Sequence, residues 1–327
     1  MNIINITTQI KYIPLQTPFI TAIRRVENVE FVRVKVECDD GFVAFGEAPA
    51  TMAITGEDLG IIENSIAYIS FYLLQKNPTK ALSILHESKI GSSAKAALDM
   101  AFVSLLAQEK GFEIYEYLGA KEKLNIQTDI TISLNPKEKM LHDAQIAFKK
   151  GLSILKVKLG SDIHHAIEVT KELAKTLPEA KLLIDANQAW SLEESLLYVN
   201  AIKDVKLELI EQPVLAKDLL ALKTITNTTH IPILADEAAF TLEDVKEIIA
   251  TKSADMINIK LMKCGGLTKA VEILKYCRGK NVKCMLGSML EGPVSINAAE
   301  QLAMAYNDVI KYVDLDSPLL YKEGFTL

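Results

Sequence analysis

Between residues 128 and 317, eight short runs rich in Val, Ile and Leu recur at intervals of about 25 residues, and each is followed by an amphipathic stretch. The runs cover residues 128–134, 153–159, 181–187, 208–214, 231–236, 255–260, 282–288 and 310–316. Strands buried on both faces read as continuous apolar runs, and a helical crossover returns the chain to a parallel neighbour. A count that closes at eight predicts an α/β fold of the (β/α)8 barrel type over residues 125–318. A doubly wound open sheet is the rival, but no GxGxxG or P-loop follows the first run.

The first 120 residues read differently. Alternating runs at 2–10, 29–38 and 42–47, with an Asp39-Asp40-Gly41 turn, precede helical periodicity at 60–74 and 94–108. That pattern predicts an α+β module capping the barrel over residues 1–120, with residues 319–327 as a short C-terminal segment. A chain of 327 residues accommodates both parts. The net charge of −6 leaves no basic footprint for nucleic acid. The amino terminus lacks a basic and apolar leader and no apolar stretch reaches membrane-spanning length, so a cytoplasmic protein without membrane partners is expected. Cys38, Cys264, Cys277 and Cys284 lack metal-site spacing and are expected as reduced thiols.

Nearly every acidic or lysine side chain suited to chemistry falls at the C-terminal end of a run, the rim where barrel enzymes build active sites. The second run ends Leu155-Lys156-Val157-Lys158, two lysines on one face of a strand. Alone, such a pair also fits a solvated edge. The third, fourth and fifth end in Asp185-Ala186-Asn187, Glu211-Gln212-Pro213 and Asp236-Glu237. Three carboxylates from consecutive strands make an oxygen-only site suited to Mg2+, one ion per subunit. The sixth runs into Lys260-Leu261-Met262-Lys263-Cys264-Gly265-Gly266. It lies across the barrel from the second, so Lys263 is expected to face Lys158 as one of two bases; the glycines fit a tight turn or a phosphate nest. The eighth ends Asp314-Leu315-Asp316, a pair suited to a substrate ammonium group or to solvent. None of the five histidines lies at a strand end, which argues against a zinc site or a serine triad.

In this order the motifs resemble the muconate-lactonizing subgroup of the enolase superfamily, and most closely its dipeptide epimerases of the L-Ala-D/L-Glu epimerase type. The resemblance covers almost the whole chain. It implies a Mg2+-dependent isomerase with Asp185, Glu211 and Asp236 as metal ligands and Lys158 and Lys263 as acid/base residues on opposite faces of the substrate α-carbon. It also implies that Lys156 neutralises the substrate carboxylate and that Asp314 and Asp316 hold the substrate's free amino group. Arg24 would pair with a glutamate side chain, the loop Ile54-Thr55-Gly56-Glu57 would contribute substrate contacts through Thr55, and Asn187 and Glu237 would support the metal ligands from behind. The implied reaction is two-base 1,1-proton transfer through an enediolate at the C-terminal residue of a dipeptide, L-Ala-D/L-Glu from peptidoglycan turnover, in a small-molecule enzyme that leaves a homo-oligomer open. Alternatives within the subgroup are an N-acylamino-acid racemase, an o-succinylbenzoate synthase or a muconate cycloisomerase. A Schiff-base barrel aldolase and a non-catalytic ligand-binding barrel are remoter. Such proteins usually continue past the eighth strand, whereas this chain stops at Leu327, so an incomplete or reduced cap is expected.

Overall fold

A computed structural model describes residues 1–22 and 25–325. Strands β1 (Ile3–Ile20), β2 (Arg25–Cys38) and β3 (Val43–Pro49) form an antiparallel sheet in that order. The Asp39-Asp40-Gly41 turn joins β2 to β3, with Gly41 at φ +89°, a conformation that glycine adopts without a Cβ clash. Alternation along β2 buries Val32, Val34, Val36 and Cys38 on one face.

Against that face pack α2 (Leu59–Leu73), preceded by the short α1 (Met52–Thr55), and α4 (Ser92–Glu109), while α3 (Pro78–Glu87) packs on α4 and α2, and α5 (Ile114–Tyr117) follows. The two helices expected from periodicity are present. The third, α3, was not expected; it starts at Asn77, whose side chain accepts from Lys80 N, with Pro78 in the first turn. Helix α4 carries alanines at its closest contacts and approaches β3 so tightly that a Cβ on Gly46 would lie 1.8 Å from the Ala97 carbonyl oxygen.

The second sheet is parallel, eight-stranded and ordered sequentially: β4 (Ile130–Ile132), β5 (Ile154–Lys158), β6 (Lys181–Asp185), β7 (Leu209–Glu211), β8 (Ile233–Ala235), β9 (Met256–Lys260), β10 (Lys283–Gly287) and β11 (Ile310–Asp314). All eight expected runs contain one of these strands. The connecting helices are α6 (Lys137–Lys149), α7 (Ile163–Thr176), α8 (Leu192–Ala201), α9 (Leu219–Thr228), α10 (Leu242–Thr251), α11 (Leu261–Cys264), α12 (Leu267–Gly279) and α13 (Pro293–Ala305). The first and last strands meet at a seam. There Asp129 N donates to Val313 O (2.9 Å) and Thr131 N donates to the Asp316 carboxylate (2.7 Å). After α14 (Ser317–Leu320), residues 321–322 lie against β1, with Lys322 N donating to Pro14 O at 2.8 Å.

Period-2 alternation sorts each barrel strand into two faces. Outward residues such as Val157, Ile184, Ile210, Ile257 and Leu286 pack under the helices in the main core. Inward residues Leu183, Leu209, Leu234, Met256, Met285 and Tyr312 form a separate apolar layer. One inward step further along the strands the layer becomes polar: Lys156, Asp185, Glu211, Asn258 and Asp314. The apolar layer thus floors an ionic one at the C-terminal mouth. No helix among the described residues is long and apolar enough to cross a membrane.

Candidate active site

The carboxylates expected at the mouth are there and buried. Asp185 and Glu211 are register partners on β6 and β7, and Asp236 directly follows β8. Lysines rather than solvent hold them. Lys158 Nζ lies 2.5 Å from Asp185 Oδ2, Lys156 Nζ lies 2.7 Å from Glu211 Oε2 and 3.3 Å from Asp185 Oδ2, and Lys260 Nζ lies 2.6 Å from Asp236 Oδ2. The strand ends carry backbone outliers, with Asn187 at φ +45° and Gln212 at φ +36°. Such conformations persist only where surroundings over-determine them. For Gln212 the reason is visible: its side-chain oxygen accepts from Asp236 N (3.0 Å) and Ala238 N (3.1 Å), tying the loop after β7 to the loop after β8.

The electrostatics are lopsided. Burial would raise the Asp236 pKa, but Lys260, Lys263 and Lys156 overwhelm it and hold that carboxyl far below its usual range. Glu211 goes the other way. Burial and then Asp185 and Asp236 push it up to about 8, against the pull of Lys156. Glu237 is likewise pushed up to about 7 by burial, Asp236 and Asp185. Burial opposes the charge on Lys260, yet Asp236 and Glu211 outweigh it and keep the amine protonated.

Several buried acceptors here lack a hydrogen bond among the described residues. Glu211 Oε2 touches the Lys156 ammonium at 2.7 Å without hydrogen-bonding geometry, and Glu237 Oε2 and Asn187 Oδ1 accept no hydrogen bond from the described residues. Buried oxygens left in that state are costly. An oxygen-only set with surplus lone pairs, beside carboxylates whose charge is only partly balanced, fits a hard divalent cation such as Mg2+.

A cavity opens above this layer. Lys158, Asp236, Glu237, Lys260, Asp314 and Asp316 line it from the barrel, and Phe19, Thr21 and Ile54 close it from the cap. Strand β5 is four places from β9 in the eight-strand order, so Lys158 and Lys260 enter from opposite sides of the mouth.

Four expectations need correction. Lys263 is not in the cavity wall: β9 ends at Lys260, the chain turns helical in α11, and Lys263 swings behind Asp236. There its ammonium donates to Asp236 Oδ1 (2.6 Å), Asp236 O (2.6 Å) and Asn258 O (2.9 Å), so Lys260 takes the facing position. Lys156 is fully buried below the cavity, bonded to Asp314 Oδ2 at 2.6 Å, because it sits one inward step before Lys158. Thr55 turns away to Thr51 O and Ser93 Oγ, and its neighbour Ile54 reaches the cavity instead. Asn187 and Glu237 stand in the cavity wall rather than behind the acids. Arg24 lies outside the described residues.

The glycine pair resolves as a turn. Gly265 and Gly266 have φ +92° and +114°, and a Cβ on Gly266 would lie 2.5 Å from Asp99 of the cap, which accepts from Thr268 N and from His86. Sequence reading missed Lys260, Thr131, Ser288 and Asn258. Strict alternation on β9 identifies Asn258 and Lys260, since both share the inward face with Met256.

Two family descriptions match. The mandelate racemase / muconate lactonizing enzyme N-terminal domain matches residues 3–119, and the enolase C-terminal domain-like family matches residues 139–326. The chain belongs to the enolase superfamily. Within that superfamily it is 59% identical over 324 residues to the L-amino acid-D/L-Glu epimerase of Sulfurimonas denitrificans, covering 99% of this chain and 95% of that protein. It superposes on a substrate-liganded L-Ala-D/L-Glu epimerase from Bacillus subtilis with a TM-score of 0.95 at 38% identity, over 98% of this chain and 92% of the other. A dipeptide epimerase from Enterococcus faecalis complexed with Mg and L-Leu-L-Tyr matches with a TM-score of 0.94 at 32% identity, with the same coverage of each chain. Enolase-superfamily proteins use Mg2+, and the buried donor-free oxygens described above suit it.

Proposed function

We propose that this chain is a Mg2+-dependent dipeptide epimerase that inverts the α-carbon of the C-terminal residue, with acidic residues such as Glu at that position as the substrate class. The observation that carries the reading is the cavity shared by Lys158 and Lys260 from opposite sides, with Asp314 and Asp316 on the same wall. The names of the Sulfurimonas and Bacillus relatives support the substrate class.

Removing a proton beside a carboxylate is difficult because it places a second negative charge next to the first. Magnesium, held by Asp185, Glu211 and Asp236, would supply the positive charge that offsets it. The rest falls to the chain. One lysine withdraws the α-proton from its face and the other returns a proton from the opposite face, which inverts the centre. Lys260, held by Asp236, enters protonated as the donor and Lys158 neutral as the acceptor for one epimer; that turnover leaves Lys158 protonated and Lys260 neutral, the state that acts on the other epimer. Asp314 and Asp316 take the dipeptide's ammonium group, and that distance from the reacting carbon selects a dipeptide over a free amino acid. Lys156, bonded to Asp314 and in contact with Glu211 and Asp185, locks the acidic groups in place from below. The cavity offers about 40 Å³, room for a few waters, and Phe19 and Ile54 of the cap stand over it, so displacing them would make room for a dipeptide.

The test is incubation of L-Ala-L-Glu with enzyme and Mg2+ in heavy water, followed by proton NMR. Deuterium should enter the Glu α-position while the D-epimer accumulates. No α-exchange in any of a panel of dipeptides would end the proposal. Exchange confined to N-acylated amino acids would instead support the racemase alternative.

A further inference from the structure

Asp129 directly precedes β4, and its side chain shares the inward face with Thr131. It is wholly buried. Carboxylate oxygens of Asp129, Asp314 and Asp316 all lie within 4.8 Å of one another, at the seam where β4 meets β11. Asp316 accepts from Thr131 N, and Asp314 accepts from Lys156. Neither oxygen of Asp129 has a hydrogen-bond partner among the described residues.

The charged groups facing Asp129 are few. From β11 and its extension come Asp314 and Asp316, and from β5 comes Lys156; Thr131 on its own strand offers a hydroxyl. The Lys156 ammonium donates to Asp314 Oδ2 at 2.6 Å, lies 2.7 Å from Glu211 and 3.3 Å from Asp185, and makes no hydrogen bond to Asp129 among the described residues. An ionised carboxylate buried without a donor, and beside two other carboxylates, is strongly disfavoured. A protonated carboxyl removes the difficulty, because its own O–H becomes the missing donor and the nearest acceptors are the two neighbouring carboxylates.

We propose that Asp129 is a neutral carboxylic acid at physiological pH whose hydroxyl donates to the Asp314–Asp316 pair, making it a positioning residue of the amino-group site. The assignment of that site rests on the function proposed above. Burial, reinforced by Asp314 and Asp316 and only partly opposed by Lys156, drives the Asp129 pKa well above the carboxylate range. Sharing one proton among three carboxyls leaves two negative charges. Lys156 offsets one of them, so the pocket presents a single charge to a single ammonium group. Asp129 does not line the cavity and acts through Asp314 and Asp316.

Infrared spectroscopy of the Mg2+-loaded enzyme tests this without turnover. The difference spectrum between wild type and Asp129→Asn should contain the carbonyl stretch of a protonated carboxyl, above the amide band and shifting down in heavy water. Kinetics supply the second readout. Asp129→Leu removes the donor and should raise KM for free-amino dipeptides at least about tenfold while kcat changes much less. Asp129→Asn retains an N–H donor and should rescue most of that loss. Absence of the carbonyl band overturns the proposal, as does Asp129→Asn raising KM as much as Asp129→Leu. If the leucine variant does not fold, the infrared band still decides. A band present in an enzyme that turns over no dipeptide would leave Asp129 protonated and defeat the functional reading alone.

Discussion

Lys158 and Lys260 occupy one cavity from opposite sides of the barrel mouth, each tied to its own carboxylate, Asp185 at 2.5 Å and Asp236 at 2.6 Å. The symmetry of the arrangement matters more than either residue. A reaction that inverts a centre needs a proton acceptor on one face and a donor on the other, and equivalent anchoring lets the two exchange roles.

Substituting either lysine by alanine should therefore reduce epimerisation by about 10²- to 10⁴-fold, the usual span for a lost acid or base. The residual chemistry should split by face: Lys158→Ala should still exchange the α-proton of one epimer and Lys260→Ala that of the other, measured by NMR on each epimer separately. Lys263→Ala, which removes a support behind Asp236, should weaken metal binding but preserve exchange on both epimers. The reverse result, with Lys263 essential and Lys260 dispensable, would return the role to Lys263.

Glu211 stands protonated near neutrality, at about 8, because burial and its acidic neighbours disfavour the charge. In the proposed metal site, a cation held by Glu211 displaces that proton. Mg2+ affinity should then rise about tenfold per pH unit between pH 6 and 8 and level off above. Titration calorimetry in buffers of different ionisation enthalpy should show proton release. A flat affinity over that range would contradict Glu211 as a ligand. Chelation should abolish activity, and adding Mg2+ at about 100 times its Kd should stabilise the fold by about 2.7 kcal/mol.

Glu57 holds the loop that carries Ile54. Its carboxylate accepts from Ser93 N (2.8 Å) and Ala94 N (3.2 Å) at the start of α4, and a Cβ on Gly91 would lie 2.1 Å from one of its oxygens. Gly91→Ala should expel that carboxylate, and Glu57→Ala should delete it; each should cost about 1 kcal/mol and raise KM several-fold. Because both act on one contact, the double variant should lose little more than either single one. Additive losses in denaturant melts would argue that Glu57 does not restrain the loop.

Glu291, buried after β10 and accepting from Met289 N and Ser295, has its pKa pushed by burial from 4.5 up to about 7. Over that window the folded state keeps a proton that the unfolded chain has released, so stability falls as pH rises from 4.5 to about 7. The contribution is on the order of 3 kcal/mol. Glu291→Gln, which keeps an acceptor for Met289 N and reverses the Ser295 contact so that the amide donates to the hydroxyl, should flatten that part of the stability profile and exceed wild type at pH 8. An unchanged slope in urea unfolding would show that another group controls it.

Much of this site is written in local patterns. Apolar runs every 25 residues or so, alternating with helices, predict a parallel sheet covered on both faces, and their count of eight without a GxGxxG or P-loop favours the barrel over an open sheet. Side-chain period 2 then places Lys158, Asp185 and Glu211 on the inward face at the rim, since each lies at the last position of its strand. Lys260 was equally accessible to that rule. Telling it from Lys263 depends on the end of β9 and the start of α11, which fall between them, and the boundary between strand and helix is the part of local structure that propensity defines least sharply.

Which polar residues touch one another belongs to the closed barrel. Lys156 and Lys158 look equivalent along the chain, but the stagger of the strands puts one in the sealed ionic layer and the other in the cavity. Asp129 belongs to no motif; it acquires its surroundings only when the first and eighth strands, more than 180 residues apart, meet at the seam. Strand identity and facing follow from backbone sterics and side-chain periodicity over a few residues. Charge balance, burial and proton sharing follow from distances across the barrel, and those exist only once the sheet has closed.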